Sequence, residues 1–363
     1  MMTEKTGIGS GLLFCLVFAL LFGFGLPKIA FLGAKYIGWN GYWGLLFAFV
    51  LALPVILAIV SLGRRFPEHS FLELLPALFG KPAGILLGIV YGLFFVALMV
   101  WEIRAATEIF RIYFLIRTPI GVTIAALLLS SLYIAGKGIE GIARLAAFLF
   151  ILPLFFILVT LVTAYQGFDA DNVRPVFFLE GTKILSGTVH LFNAFLPLAS
   201  LFMIYRYFTG KRAGGFRPIA AAAGLAALLF FFIILGTIGV YGAKKVTAVS
   251  WAFMELSKHS DIPYLFQTTG LFFAGVYLIE TVISLSAVYF AAADSCARLM
   301  NRLTYRWFLV ILFPVVIWAA MWLKSEAEAA LFFNYLRIAG FFLVFVLPLI
   351  VWACAVVLRR RET

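Results

Sequence analysis

Charge is scarce in this sequence. Asp, Glu, Lys and Arg make up 12% of its 363 residues while 64% are hydrophobic, and an ordinary soluble domain is about 25% charged. That excludes a soluble globule and leaves a polytopic helical membrane protein, whose backbone polar groups must be satisfied inside the protein. Cysteine and histidine are equally sparse, at three each. Cys15, Cys296 and Cys354 fall toward the ends of apolar segments and read as small buried hydrophobes, not as a disulfide framework. His69, His190 and His259 are scattered among loops and segment ends, so neither a metal site nor a catalytic triad is expected, and no cofactor is called for. Acidic residues number 16 against 28 basic ones, a net charge of +12. The basic residues lie in short clusters between apolar runs, form no continuous face and accompany no recognition motif, which excludes nucleic acid as a partner. The stretch Thr209-Gly210-Lys211-Arg212-Ala213-Gly214-Gly215 lacks the spelling of a phosphate loop and reads as a turn. A small-residue cleavage site is missing too, so the first apolar segment, which begins near Gly9 after a polar leader, is expected to be retained.

What the sequence has in abundance is long apolar runs. Ten are long enough for a crossing of about 20 residues: 10–34, 40–63, 83–116, 119–136, 142–165, 189–208, 217–241, 264–299, 305–323 and 329–358. With both termini inside, sixteen Lys and Arg lie at cytoplasmic ends against eight outside, which sets the orientation by the positive-inside rule. The chain is therefore expected to form a single integral membrane domain, 1–363, with one half at about 9–165, an outer loop at 166–188 and a second half at about 189–358. Between the second and third segments, Glu68 to Phe79 carries apolar residues at helical spacing and predicts an amphipathic helix along the cytoplasmic face. Val246 to Ser257 predicts a helix over the outer mouth, ending near Asp261-Ile262-Pro263.

The chain is organised around two interruptions. Phe22-Gly23-Phe24-Gly25-Leu26-Pro27 lies inside the first span, and about 170 residues on, Phe192-Asn193-Ala194-Phe195-Leu196-Pro197 repeats the F-x-x-x-L-P spelling inside the sixth. Breaks at corresponding places in two halves are the strongest sequence pointer to a transporter-type binding site. Helix geometry is expected to be lost within Gly23 to Pro27 and loosened within Asn193 to Pro197. Gly23 and Gly25 would let a ligand approach the backbone, and the amides of a half-helix starting near Pro27 would face a carboxylate; a glycine-lined helix crossing is the competing reading. Asn193 either orients a ligand or satisfies a freed carbonyl of its own helix. Phe24, Leu26, Phe95, Met99, Ala194 and Phe195 complete the expected lining.

Glu280, about 15 Å below the outer end of its span at 1.5 Å per residue, is a functional candidate because an ionised carboxylate at that depth needs a partner. A ligand ammonium, a proton or Lys28 would serve. Lys28, Glu102 and Arg337 lie in the outer third, where a static ion-pair network along the vestibule is the competing explanation. Arg104–Glu108 and Asp294–Arg298 are i,i+4 pairs and read as structural.

Four spellings in order, Arg65-Phe66-Pro67, Arg117-Thr118-Pro119, Gly138-Ile139-Glu140-Gly141-Ile142-Ala143-Arg144 and Asn172-Val173-Arg174-Pro175-Val176, fall at segment boundaries. Together they resemble the B subunit of bacterial spore germinant receptors, the GerAB family of the amino acid–polyamine–organocation superfamily, over essentially the whole chain. The resemblance implies an all-α fold of ten transmembrane helices in two five-helix inverted repeats of the LeuT/APC type, with helices 1 and 6 broken. It also implies a mid-membrane site for a small germinant such as an amino acid, and A and C partner subunits in the spore inner membrane. An active, proton-coupled transporter of amino acids or amines is the other function the same fold serves. The chain departs from the family pattern at Asn193, where span six usually carries an acidic residue. It departs again at Ser250-Trp251, in place of a proline, and at Glu280, where a basic residue is common.

Overall fold

The computed structural model describes residues 7–67, 69–176, 180–208, 215–258, 269–300 and 304–357. Among them nine helices are long and apolar enough to cross a membrane, and Ile120–Gly136 is a shorter tenth. We number these ten α1 (Ser10–Tyr36), α2 (Gly41–Arg65), α3 (Lys81–Ile112), α4 (Ile120–Gly136), α5 (Gly138–Gly167), α6 (Gly181–Tyr207), α7 (Phe216–Ala248), α8 (Gly270–Met300), α9 (Tyr305–Trp322) and α10 (Glu326–Val356).

Local sequence explains where these helices start and stop. Gly80 adopts φ +84° and Pro82 follows in the first turn of α3, the first conformation needing no side chain and the second no amide hydrogen. Ser325 caps α10 by accepting a bond from the Glu328 amide at 3.2 Å, with Glu326 and Glu328 in the positively polarised first turn. Gly242 at φ +72° kinks α7, and the helix expected over the outer mouth is divided further on, where Val249 turns extended: one part continues α7 to Ala248 and the rest forms a separate helix, Ala252–Lys258. Its expected end at Asp261 to Pro263, and the glycine-rich turn at Thr209 to Gly214, lie outside the described residues. The helix expected at Glu68 to Phe79 is present as Phe71–Phe79, with the Ser70 amide donating to the Glu73 carboxylate. Glu73 also binds Arg298 at 2.7 Å, while Arg298 holds Asp294 at 2.8 Å. The i,i+4 pair thus ties the end of α8 to the amphipathic helix.

Apolar side chains settle what is inside. Helices α1, α6 and α8 are largely enclosed by protein, whereas α5, α9 and α10 turn Phe148, Trp318 and Phe342 outward, as lipid-facing helices do. Helix α1 packs on α6, α7 and α8; α8 in turn packs on α3, and α10 on α3 and α6. The two interrupted helices therefore occupy the centre.

Candidate functional site

Both interruptions are present, and they differ. In α6 the α-helix stops at Leu191 and nine residues, Phe192–Ser200, wind as 3₁₀-helix, so α-helical geometry is lost across Asn193 to Pro197 as expected, by tightening and not by loosening. In α1 the change is smaller and later than the sequence suggests. The α-helix runs through Gly25, at φ −78° and ψ −35°, and only Leu26–Lys28 tightens to 3₁₀ before Ile29–Tyr36 resumes. The Leu26 amide still bonds the Phe22 carbonyl and Pro27 has no amide to satisfy, so the backbone needs no opening. The glycines serve close packing here. A Cβ on Gly23 would lie 2.7 Å from the Glu280 carbonyl oxygen and 2.8 Å from the Ser284 Cβ, and one on Gly25 would lie 2.9 Å from Phe230 and 3.1 Å from the Ala194 Cβ. The glycine-lined crossing describes this conformation, and Gly25 against Ala194 brings the two interruptions together. A bulky residue at Gly25 would disturb this packing as well as any ligand.

A third irregular segment joins them. Phe341–Val346 of α10 is π-helical, a form concentrated at functional sites. Phe192 packs edge-on to Phe341 and Phe345 at 5.6 and 5.8 Å between ring centres, and Gly340 leaves room for Leu196.

The other expected lining residues are buried but not all at one place. Phe24, Leu26, Met99, Ala194 and Phe195 are enclosed. Phe195 stands 6.2 Å from Phe192 and 6.4 Å from Phe49, and Phe95 belongs to an aromatic group with Tyr91 and Phe94. Asn193 is 2% exposed and its Oδ1 has no hydrogen-bond partner among the described residues, whereas a freed carbonyl of its own helix would be met by Nδ2. An unfilled buried acceptor costs about 1–3 kcal/mol.

The charged candidates separate into two groups. Lys28 does not pair with Glu280. Its ammonium lies 3.8 Å from Glu326 of α10 and 4.0 Å from the centre of the Trp251 ring, because the tightened turn aims it at the mouth. Arg337 donates to the Tyr36 hydroxyl at 3.3 Å, and Arg104 holds Glu108 at 2.9 Å. Glu102 stands apart from this outer group, facing Ser284 and Tyr277 of α8. Glu102 and Glu280 are 2% and 1% exposed. Both oxygens of Glu102, Oε2 of Glu280 and the Tyr277 hydroxyl lack partners among the described residues. Two carboxylates, ten residues from Ile112 at the end of α3 and from Gly270 at the start of α8, thus have no basic side chain paired with them among the described residues. Ser284, whose hydroxyl donates to the Leu20 carbonyl at 3.0 Å, escaped sequence reasoning although it lies one turn from Glu280. Glu326 and Trp251 escaped it because nothing local joins them to Lys28.

This arrangement gives a stability test. A double-mutant cycle between Lys28→Met and Glu280→Gln, read by thermal unfolding of the purified protein, is expected to be additive within about 0.5 kcal/mol. The cycle with Glu326→Gln should show a coupling of about 0.2–1 kcal/mol, as half-exposed pairs do. A larger coupling with Glu280 would restore the pair that the sequence suggested.

Comparison with known proteins follows the same lines. The family model described as spore germination protein matches residues 8–329. The spore germination protein YndE of Bacillus subtilis (strain 168) is 24% identical over 264 residues, 72% of each chain. Spore germination protein A2 of the same organism is 22% identical over 295 residues, 81% of this chain and 79% of that one. Among solved structures, a Na+-coupled sialic acid symporter in a substrate-bound outward-open state superposes with TM-score 0.69 at 14% identity, and the Eremococcus coleocola manganese transporter with 0.66 at 13%. Each match covers 93% of this chain and 78% of the other. The fold is that of the LeuT-type transporters, and the chain is an integral multi-pass membrane protein.

Proposed function

This chain belongs to the spore germination protein family, and we propose that within it the chain is a germinant-sensing subunit. It binds a small molecule such as an amino acid between α1, α6 and α8 and passes a change of conformation to partner subunits. The carrying observation is that Gly25, the last α-helical residue of α1 before its tightened turn, packs on Ala194 in the 3₁₀ segment of α6 inside protein, since irregular backbone survives at membrane depth only when packed or facing a cavity. Tight packing over Gly23 and Gly25 makes this a closed conformation, and ligand entry then separates α1 from α7 and α8. In this reading the A and C subunits of a receptor complex are the partners, the membrane is the spore inner membrane, and both termini face the core.

The unpaired carboxylates Glu102 and Glu280 favour a second reading, proton-coupled transport, because a carboxyl group without a base at membrane depth takes up and releases protons. One comparison decides between the two. Spores lacking the chain are expected to lose their response to particular L-amino acids and to regain it only when the chain is restored together with its partner subunits. Proteoliposomes holding the purified chain are expected to bind those amino acids without accumulating them. Accumulation driven by an imposed pH gradient would establish transport.

A further inference from the structure

Arg337 presents a charge that the structure leaves unanswered. It is 6% exposed, and its Nε and Nη1 have no hydrogen-bond partner among the described residues. Nη2 donates to the Tyr36 hydroxyl at 3.3 Å, and the guanidinium carbon lies 5.1 Å from the centre of the Tyr36 ring, contacts that bring no counter-anion. A buried carboxyl group can hold a proton and become neutral, but a guanidinium cannot lose one, so its charge must be met by an anion. Lys35 adds a second positive charge beside the Tyr36 ring. The Tyr36 ring lies 3.6 Å from the His190 ring and 5.6 Å from the Lys35 ammonium. The acids at this end of α3 and α10 are engaged by other groups: Glu108 by Arg104, Glu326 by Lys28, and Glu328 by the Lys324 amide at 2.7 Å.

Position gives this charge a use. Arg337 lies one turn before the π-helical Phe341–Val346 and shares a helix with Gly340, which packs on Leu196 of the α6 interruption. His190 is the last residue but one of the α-helix from which that interruption starts, and Tyr36 ends α1. The Leu26 amide, just before Pro27, is bonded to the Phe22 carbonyl within its own helix and is not free for a carboxylate.

We propose that Arg337, with the Tyr36 hydroxyl, is the site that holds the carboxylate of a small-molecule ligand at the outer side of the paired interruptions. This rests on the reading of the chain as a small-molecule binder. It adds that the ligand is an anion or zwitterion: Nη2 keeps a second hydrogen beside that of Nε or Nη1, and such an edge of two N–H groups suits a planar carboxylate.

The test uses the purified full chain in nanodiscs, with its thermal midpoint followed against the standard L-amino acids, their carboxamides and inorganic phosphate. At least one free acid is expected to stabilise the protein at a concentration about tenfold or more below that of its amide, a difference of one hydrogen-bonded charge contact. Arg337→Gln should abolish the discrimination, and Arg337→Lys, which keeps the charge without the fork, should restore part of it. If the Gln variant does not fold, the acid and amide comparison in the native protein, together with the Lys variant, carries the test. Amides that act as well as acids would overturn the carboxylate contact while leaving small-molecule binding in place, as would discrimination that persists in Arg337→Gln. Phosphate acting as strongly as the best acid would overturn it in favour of a general anion site. No shift with any compound would overturn both this assignment and the proposed function.

Discussion

Spores whose only copy of this chain carries Glu280→Gln are expected to need about tenfold or more of an effective L-amino acid to germinate, a loss of about 1.4 kcal/mol. The amide keeps the shape of the side chain and removes its capacity for charge. Glu280 is 1% exposed and Oε2 meets no donor among the described residues, so the loss cannot be that of an internal salt bridge. A structural carboxylate held by a base would behave in the opposite way, its removal stranding the partner and destabilising the protein by about 3–5 kcal/mol. The thermal midpoint of purified Glu280→Gln is therefore expected to stay level or rise while sensitivity falls. Unchanged germination with a lowered midpoint would make Glu280 part of the scaffold.

Gly23→Leu should leave little folded protein. The Cβ alone would come within 2.7 Å of the Glu280 carbonyl oxygen, a backbone atom that moves only if α1 and α8 part, and the rest of the side chain has to follow it. Gly23→Ala already calls for overpacking of about 1–3 kcal/mol, and leucine exceeds that. Gly92→Ala on α3 is the matched control, because nothing lies within 4 Å of the position its Cβ would take. There, alanine is expected to be neutral or to stabilise by up to about 1 kcal/mol, through helix propensity and the entropy of the unfolded chain. Yield from membranes and the thermal midpoint measure both. A Gly23→Leu protein that folds normally would mean that α1 and α8 are not tightly apposed in the working molecule, and the closed conformation would lose its basis.

Composition and segment length determined that the chain spans the membrane as helices, because hydrocarbon tolerates no unpaired backbone and a crossing has a fixed length. The F-x-x-x-L-P spellings located both irregular segments, since proline and glycine act on their own backbone, and the pairs Arg104–Glu108 and Asp294–Arg298 were legible from helical spacing alone. What α1 does at its glycines was not legible. Whether such a residue opens a helix or admits a neighbour depends on what stands opposite, and Glu280, Phe230 and Ala194 reach Gly23 and Gly25 from helices far along the chain. The partner of Lys28 was hidden for the same reason: Glu280 and Glu326 are equally remote in sequence, and only the tightened turn at Leu26–Lys28 decides which one the ammonium meets. The unanswered charge of Arg337 belongs to the tertiary structure altogether, because a missing partner is a property of everything packed around a group and of no stretch of sequence.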